Sequence, residues 1–219
     1  MIILSILIYV GHQTMIEVVD SKLPSILSDF CRAWTSTSQS KSLSKVLKKI
    51  THSVLSLYRP LGHLPKTLIG FSKGVVVLNQ LLLDWHQLQK MDTMHEDLLE
   101  FYKSIHTWIW LDGGHNGGQD TWMTSEGPLS TFVNHSEWKI QINVTPRQVK
   151  DPMRPWIGKE EKKFRSVLKR LLEDRNESSR LTRTLFFAEE EPSILNHFRV
   201  IDTLSKTDLL GLGKVETED

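Results

Sequence analysis

The residues that could do chemistry gather first around Ser72. It lies in Gly70-Phe71-Ser72-Lys73-Gly74, with a short apolar run, Leu68-Ile69, before it and a long apolar segment, residues 75–83, after it. Gly-x-Ser-x-Gly between a strand and a helix is the pattern of a nucleophile elbow, a tight turn that lifts a serine above the end of a parallel sheet. The glycines have a steric reason. The serine backbone is strained, and the residues two positions away lie against it, where a Cβ would clash. The amide of Lys73 falls at the helix start and can donate to an oxyanion. The bare motif recurs by chance, so the apolar flanks carry the weight. The competing reading is an ordinary strand–turn–helix corner in which Ser72 only caps the helix.

A serine hydroxyl is a weak nucleophile. It needs a base within hydrogen-bond reach, and the base needs an acid to orient it and to stabilise its protonated form. With an elbow the chain order is serine, acid, histidine. Of the nine histidines, His197 alone lies beyond the last expected strand, which makes it the expected base. The competing histidine, His115, falls between the two candidate acids and breaks the order. Those acids are Asp151, in the loop 145–152, and Asp112, directly after a strand. The later loop is the commoner acid position in such hydrolases, so Asp151 is expected and Asp112 would shape the glycine-rich loop 112–118. Asp151 could instead serve as a turn cap before Pro152. Trp122, in a glycine-flanked loop, is the candidate to line an apolar acyl pocket. Trp108, Trp110, Trp138 and Trp156 are expected mostly in the core.

The elements that must position these residues follow from the apolar spacing. Strands are expected at 1–10, 66–69, 107–111, 138–144 and 181–188. Helices are expected at 16–34, 43–58, 73–89, 96–104 and 156–174. Residues 35–44 are Ser/Thr-rich and read as a loop, and 206–219 as a mobile polar tail. The first half of helix 73–89 is apolar nearly all round, as a helix against the centre of a sheet requires. Strand and helix alternate at short intervals, which gives an α/β fold with a mostly parallel sheet, helices on both faces and right-handed crossovers. In such sheets ligands bind at the carboxyl ends of the strands. Each candidate residue lies after a strand, as one shared site demands.

Composition sets the outer limits. The chain has 219 residues, with 39% hydrophobic and 24% charged content and a net charge of +1. That suits one large domain, residues 1–205, and gives no global pull toward nucleic acid or anionic membrane. The basic face of helix 43–58 has no interleaved aromatics, so nucleic-acid binding is not expected. The single cysteine, Cys31, excludes an intrachain disulfide and a cysteine-cluster metal site. No cofactor and no metal are called for. The sequons at Asn134, Asn143 and Asn176 read as accidental. Residues 1–10 are apolar but too short to span a bilayer and lack the marks of a signal or transit peptide. A chain that opens in a buried strand suggests that an earlier part of the domain is missing.

Four stretches taken together resemble a known family: 68–82 around the serine, Trp110-Leu111-Asp112-Gly113-Gly114-His115-Asn116-Gly117-Gly118, residues 144–160, and Asn196-His197-Phe198-Arg199-Val200. They are similar to a eukaryotic family that includes a human mitochondrial protein named only for its open reading frame on chromosome two. The resemblance covers about residues 66–200. It implies an α/β-hydrolase-like fold with a lipase-type serine motif, Ser72 as nucleophile and His197 as base. It does not choose the acid and supplies no substrate. It implies a mitochondrial location; without a transit peptide the chain alone would read as cytoplasmic. The family's longer front half carries a Phe-Pro-Gly-Asp segment where a first oxyanion amide is expected. Here the only glycine after an early strand is Gly11, so the front of the fold is expected to be incomplete and the oxyanion site short of a donor.

Two functions are left in competition. One is a serine hydrolase acting on a small acyl or lipid-like substrate, an ester or a related compound. The other is a catalytically inactive scaffold of the same fold that binds a protein or lipid partner. Fold alone does not decide between them. The presence of serine, acid and histidine in order favours the enzyme.

Overall fold

The computed structural model describes residues 2–4, 66–90, 96–114, 120–135 and 137–207. The chain is α/β. One sheet of five strands has the order β1-β2-β3-β4-β5, every pair parallel. The strands are β1 (Ile2–Leu4), β2 (Lys66–Phe71), β3 (Ile105–Leu111), β4 (Lys139–Val144) and β5 (Leu181–Leu185). The helices are α1 (Val75–Leu88), α2 (Glu96–Ser104), α3 (Glu126–Val133), α4 (Pro146–Val149), α5 (Pro155–Glu173) and α6 (Ile194–Thr207). The apolar start of the chain joins the sheet through β1, with Ile2 beside Lys66. The expected helices 16–34 and 43–58, the loop 35–44, Gly11, Cys31, His115 and residues 208–219 lie outside the described residues.

Spatial order equals chain order, so each crossover steps to the next strand. Right-handed steps in one direction stack their helices on one face. Burial follows that rule with a period of two. Leu68, Trp108, Trp110, Ile140 and Ile142 point to the face where α1 packs on α3 and α3 on α5. Ile69, Phe71, Ile109 and Leu111 point to the other face, where Val200 of α6 meets them. The α5 stripe Ile157, Phe164, Leu168 and Leu172 is fully buried at helical spacing. Glu161 falls in the same stripe and is tolerated there because Arg183 Nε donates to it at 3.1 Å.

Three helices were not legible in the sequence. In α3 an early glycine and proline, Gly127 and Pro128, hide the pattern. α4 is a single turn, and the early apolar residues of α6, Ile194, Leu195 and Phe198, are exposed. β5 stops at Leu185, short of the expected 188, because Phe187 takes a left-handed backbone with φ 56°.

Candidate active site

β2 runs extended to Phe71 and then breaks at Ser72, whose φ is 53°. A non-glycine residue in the left-handed region is uncommon and costs free energy. A 3-10 turn, Ser72–Gly74, leads into α1. The N-cap positions of the turn and of α1 are Phe71 and Gly74, so Ser72 is not the helix cap. Gly70 has the steric role expected of it. A Cβ there would stand 2.8 Å from Leu78 and 2.9 Å from the Gly74 carbonyl. Lys73 holds the first turn after the strand, where a helix has no carbonyl of its own to offer an N–H.

The ends of the strands bring three side chains together. Phe71 pairs with Leu111 across β2 and β3, so Ser72 and Asp112 emerge side by side. His197 comes from the first turn of α6. Its Nε2 lies 3.0 Å from Ser72 Oγ, and its Nδ1 lies 2.6 Å from Asp112 Oδ2. The ring stacks on Phe71 with centroids 4.6 Å apart. Asp112 is fully buried and His197 is 4% exposed. A buried carboxylate needs donors. Asp112 has the imidazole, the Thr145 N–H at 2.6 Å and the Thr145 hydroxyl at 2.9 Å. With Asp112 charged, Nδ1 carries the proton and Nε2 turns a lone pair toward the serine. That arrangement can remove a proton from a hydroxyl and hold the resulting imidazolium.

Two expectations are corrected. Asp151 does not face His197. Its Oδ1 accepts the Met153 N–H at 2.9 Å and its Oδ2 accepts Arg154 Nε at 3.0 Å. Burial acts to raise the Asp151 carboxyl, but the Met153 amide and the Arg154 guanidinium outweigh it and hold the group below the usual carboxylate range. The reason for the misassignment is local: α4 carries the chain away from the end of β4 before Asp151 is reached. Trp122 is not a pocket wall. It is 2% exposed and packs on Phe164 at 5.4 Å. Its turn is drawn inward by Glu160, whose carboxylate accepts the N–H groups of Asp120, Thr121 and Trp122. Trp108, Trp110 and Trp138 are core, as expected, and Trp156 packs against the core.

Sequence reasoning missed Thr145 and Gln148. Gln148 Nε2 donates to the Asp112 carbonyl at 3.1 Å. The available signal was their place directly after a strand. A groove of about 580 Å³ runs beside the site, between the loops after β4 and β5, and includes Arg147, Lys150, Asp151 and Glu189 among its walls. Ser72 does not line it. Among the described residues, no three His, Cys, Asp or Glu side chains are placed to hold a metal ion. No helix among them is long and apolar enough to cross a membrane.

The family model described as C2orf69 matches residues 21–173. This chain belongs to the C2orf69 family. Ser72 and Asp112 fall inside the matched stretch and His197 beyond it. The human mitochondrial protein C2orf69 is 45% identical over 157 residues, which cover 71% of this chain and 38% of the human protein. The mouse homologue is 48% identical over 134 residues, 61% of this chain and 34% of its own length. The zebrafish (Danio rerio) homologue is 38% identical over 135 residues, 62% and 36% respectively. The chain thus spans little more than a third of the curated relatives that it matches. All three are named as mitochondrial proteins, which supports a mitochondrial location for this chain. No solved structure matches.

Proposed function

We propose that this chain carries the nucleophile, base and acid of an α/β-hydrolase-type serine hydrolase that cleaves an acyl ester or related lipid-like acyl compound. The observation that carries the reading is the 3.0 Å contact between Ser72 Oγ and His197 Nε2, with Asp112 on the far nitrogen. In this reading Oγ attacks the acyl carbon while Nε2 takes its proton. Asp112 stabilises the imidazolium, and the Lys73 N–H donates to the oxygen that gains charge. Nε2 then protonates the leaving group, and water repeats the sequence on the Ser72 ester. Four large apolar side chains among the described residues are exposed: Met153, Ile194, Leu195 and Phe198. All four follow β4 or β5 in the chain. Phe198 lies 5.3 Å from the His197 ring. The exposed Phe198 beside the base favours an acyl chain as the substrate's non-reacting part.

The test is labelling with a fluorophosphonate probe. The chain should be labelled, and Ser72→Ala should abolish the label. Persistent labelling of Ser72→Ala would remove Ser72 from the mechanism. Failure to label both this chain and the full-length human relative would favour the inactive scaffold that binds a partner. A metabolite comparison between wild type and Ser72→Ala would identify the substrate.

A further inference from the structure

We propose that Gln148 is a positioning residue for the His197–Asp112 pair, and that Arg154, held by Asp151, sets which way its amide points. This rests on the hydrolase reading above. Asp112 sits at φ 45°, a left-handed conformation that a non-glycine residue adopts only when its surroundings hold it. Its N–H donates to the Asn143 carbonyl at 2.6 Å. Its own carbonyl accepts Gln148 Nε2 at 3.1 Å. Gln148 therefore holds one side of the strained unit that aims the carboxylate.

The same Nε2 lies 3.3 Å from His197 Nδ1. The one proton on Nδ1 goes to Asp112, so the amide nitrogen only covers the flank of that bond. The opposite orientation of the amide would do harm. Oε1 would face the Asp112 carbonyl, acceptor against acceptor, and would compete with Asp112 for the Nδ1 proton. A glutamine amide has nearly the same shape either way round, so something else must choose. Arg154 chooses. Its Nη1 donates to Gln148 Oε1 at 3.3 Å, and a guanidinium has no acceptor to offer an NH₂ group. Arg154 is itself fixed by Asp151 at Nε, 3.0 Å, and by the Arg147 carbonyl at Nη2, 2.7 Å. Gln148 is 2% exposed, so water does not substitute for these partners. Gly114 completes the fit: a Cβ there would collide with Gln148 Oε1. Asp151 thus serves the site through Arg154 and Gln148.

The experiment uses the full chain with ¹⁵N-labelled histidine and reads two quantities. One is the low-field proton signal of His197 Nδ1–H. The other is the rate of fluorophosphonate labelling against pH. Gln148→Ala is expected to shift or broaden the low-field signal and to slow labelling about tenfold to a hundredfold, with the thermal transition retained. Gln148→Met, which keeps the side-chain length, serves if Gln148→Ala does not fold. Arg154→Leu should give the same two changes. The double variant should be no worse than Gln148→Ala alone, because Arg154 acts through Gln148. An unchanged signal in the Gln148 variants, or additive losses in the double variant, would overturn the proposal. The NMR readout does not need an active enzyme. Failure to label both this chain and the full-length human relative would therefore sink the hydrolase reading while the positioning role is still judged.

Discussion

Asp112 and Asp151 are both carboxylates at one edge of one sheet, and their partners separate them. Asp112 holds the imidazole that faces Ser72. Asp151 is neutralised by Arg154. Asp112→Asn should slow fluorophosphonate labelling by about a thousandfold to ten-thousandfold, since an amide at that position stabilises the wrong histidine tautomer and no imidazolium. Asp151→Asn should slow it less than about tenfold, because Arg154 keeps its bond to the Arg147 carbonyl. The reverse ranking of the two rates would return the acid role to Asp151. In the sequence both aspartates looked eligible. Their separation rests on a strand register, Phe71 beside Leu111, and register is a property of paired strands.

At the level of the elements, the elbow depends on how closely α1 approaches β2. Gly70→Ala should cost about 1–3 kcal/mol, because the new methyl would meet Leu78 and the Gly74 carbonyl. A denaturant midpoint equal to wild type would show that α1 can move away. The step from α3 to β4 carries a pH-dependent element. The His135 ring stacks on Trp138 with centroids 4.1 Å apart, and burial, foremost among several causes, lowers its pKa. An imidazole in the unfolded chain titrates near about 6.5, so on acidification the unfolded chain takes the proton first. The His135 contribution should be fully present above about pH 6.5 and be lost as pH falls from there toward the lowered folded value. Denaturant midpoints at neutral and mildly acidic pH should therefore differ less in His135→Phe than in wild type. An identical difference in the two proteins would remove His135 as a cause.

Across the whole molecule, the strand ends bring Ser72, Asp112 and His197 together, and the exposed Phe198 lies beside the His197 ring. Leu195→Asp should slow labelling by a long-chain alkyl fluorophosphonate severalfold and leave a short-chain probe unaffected. Equal slowing of both probes would mean that α6 had shifted rather than that an acyl surface was lost. The sequence by itself determined the α/β class, the β2–turn–α1 unit with its strained serine, and the burial of the strand tryptophans, and it singled out the histidine that lies beside Ser72. Those follow from apolar period, from glycine spacing and from chain order, all of which are local or nearly so. Only the tertiary structure decided that Asp112 faces His197, that Trp122 turns into the core, that Thr145 donates to the Asp112 carboxylate, and that Gln148 donates to the Asp112 carbonyl. These depend on contacts between residues far apart in the chain, such as His197 with Asp112 and Thr145 with Asp112. Residue type and spacing do not encode which strand ends lie side by side, and that adjacency fixes which carboxylate the imidazole meets.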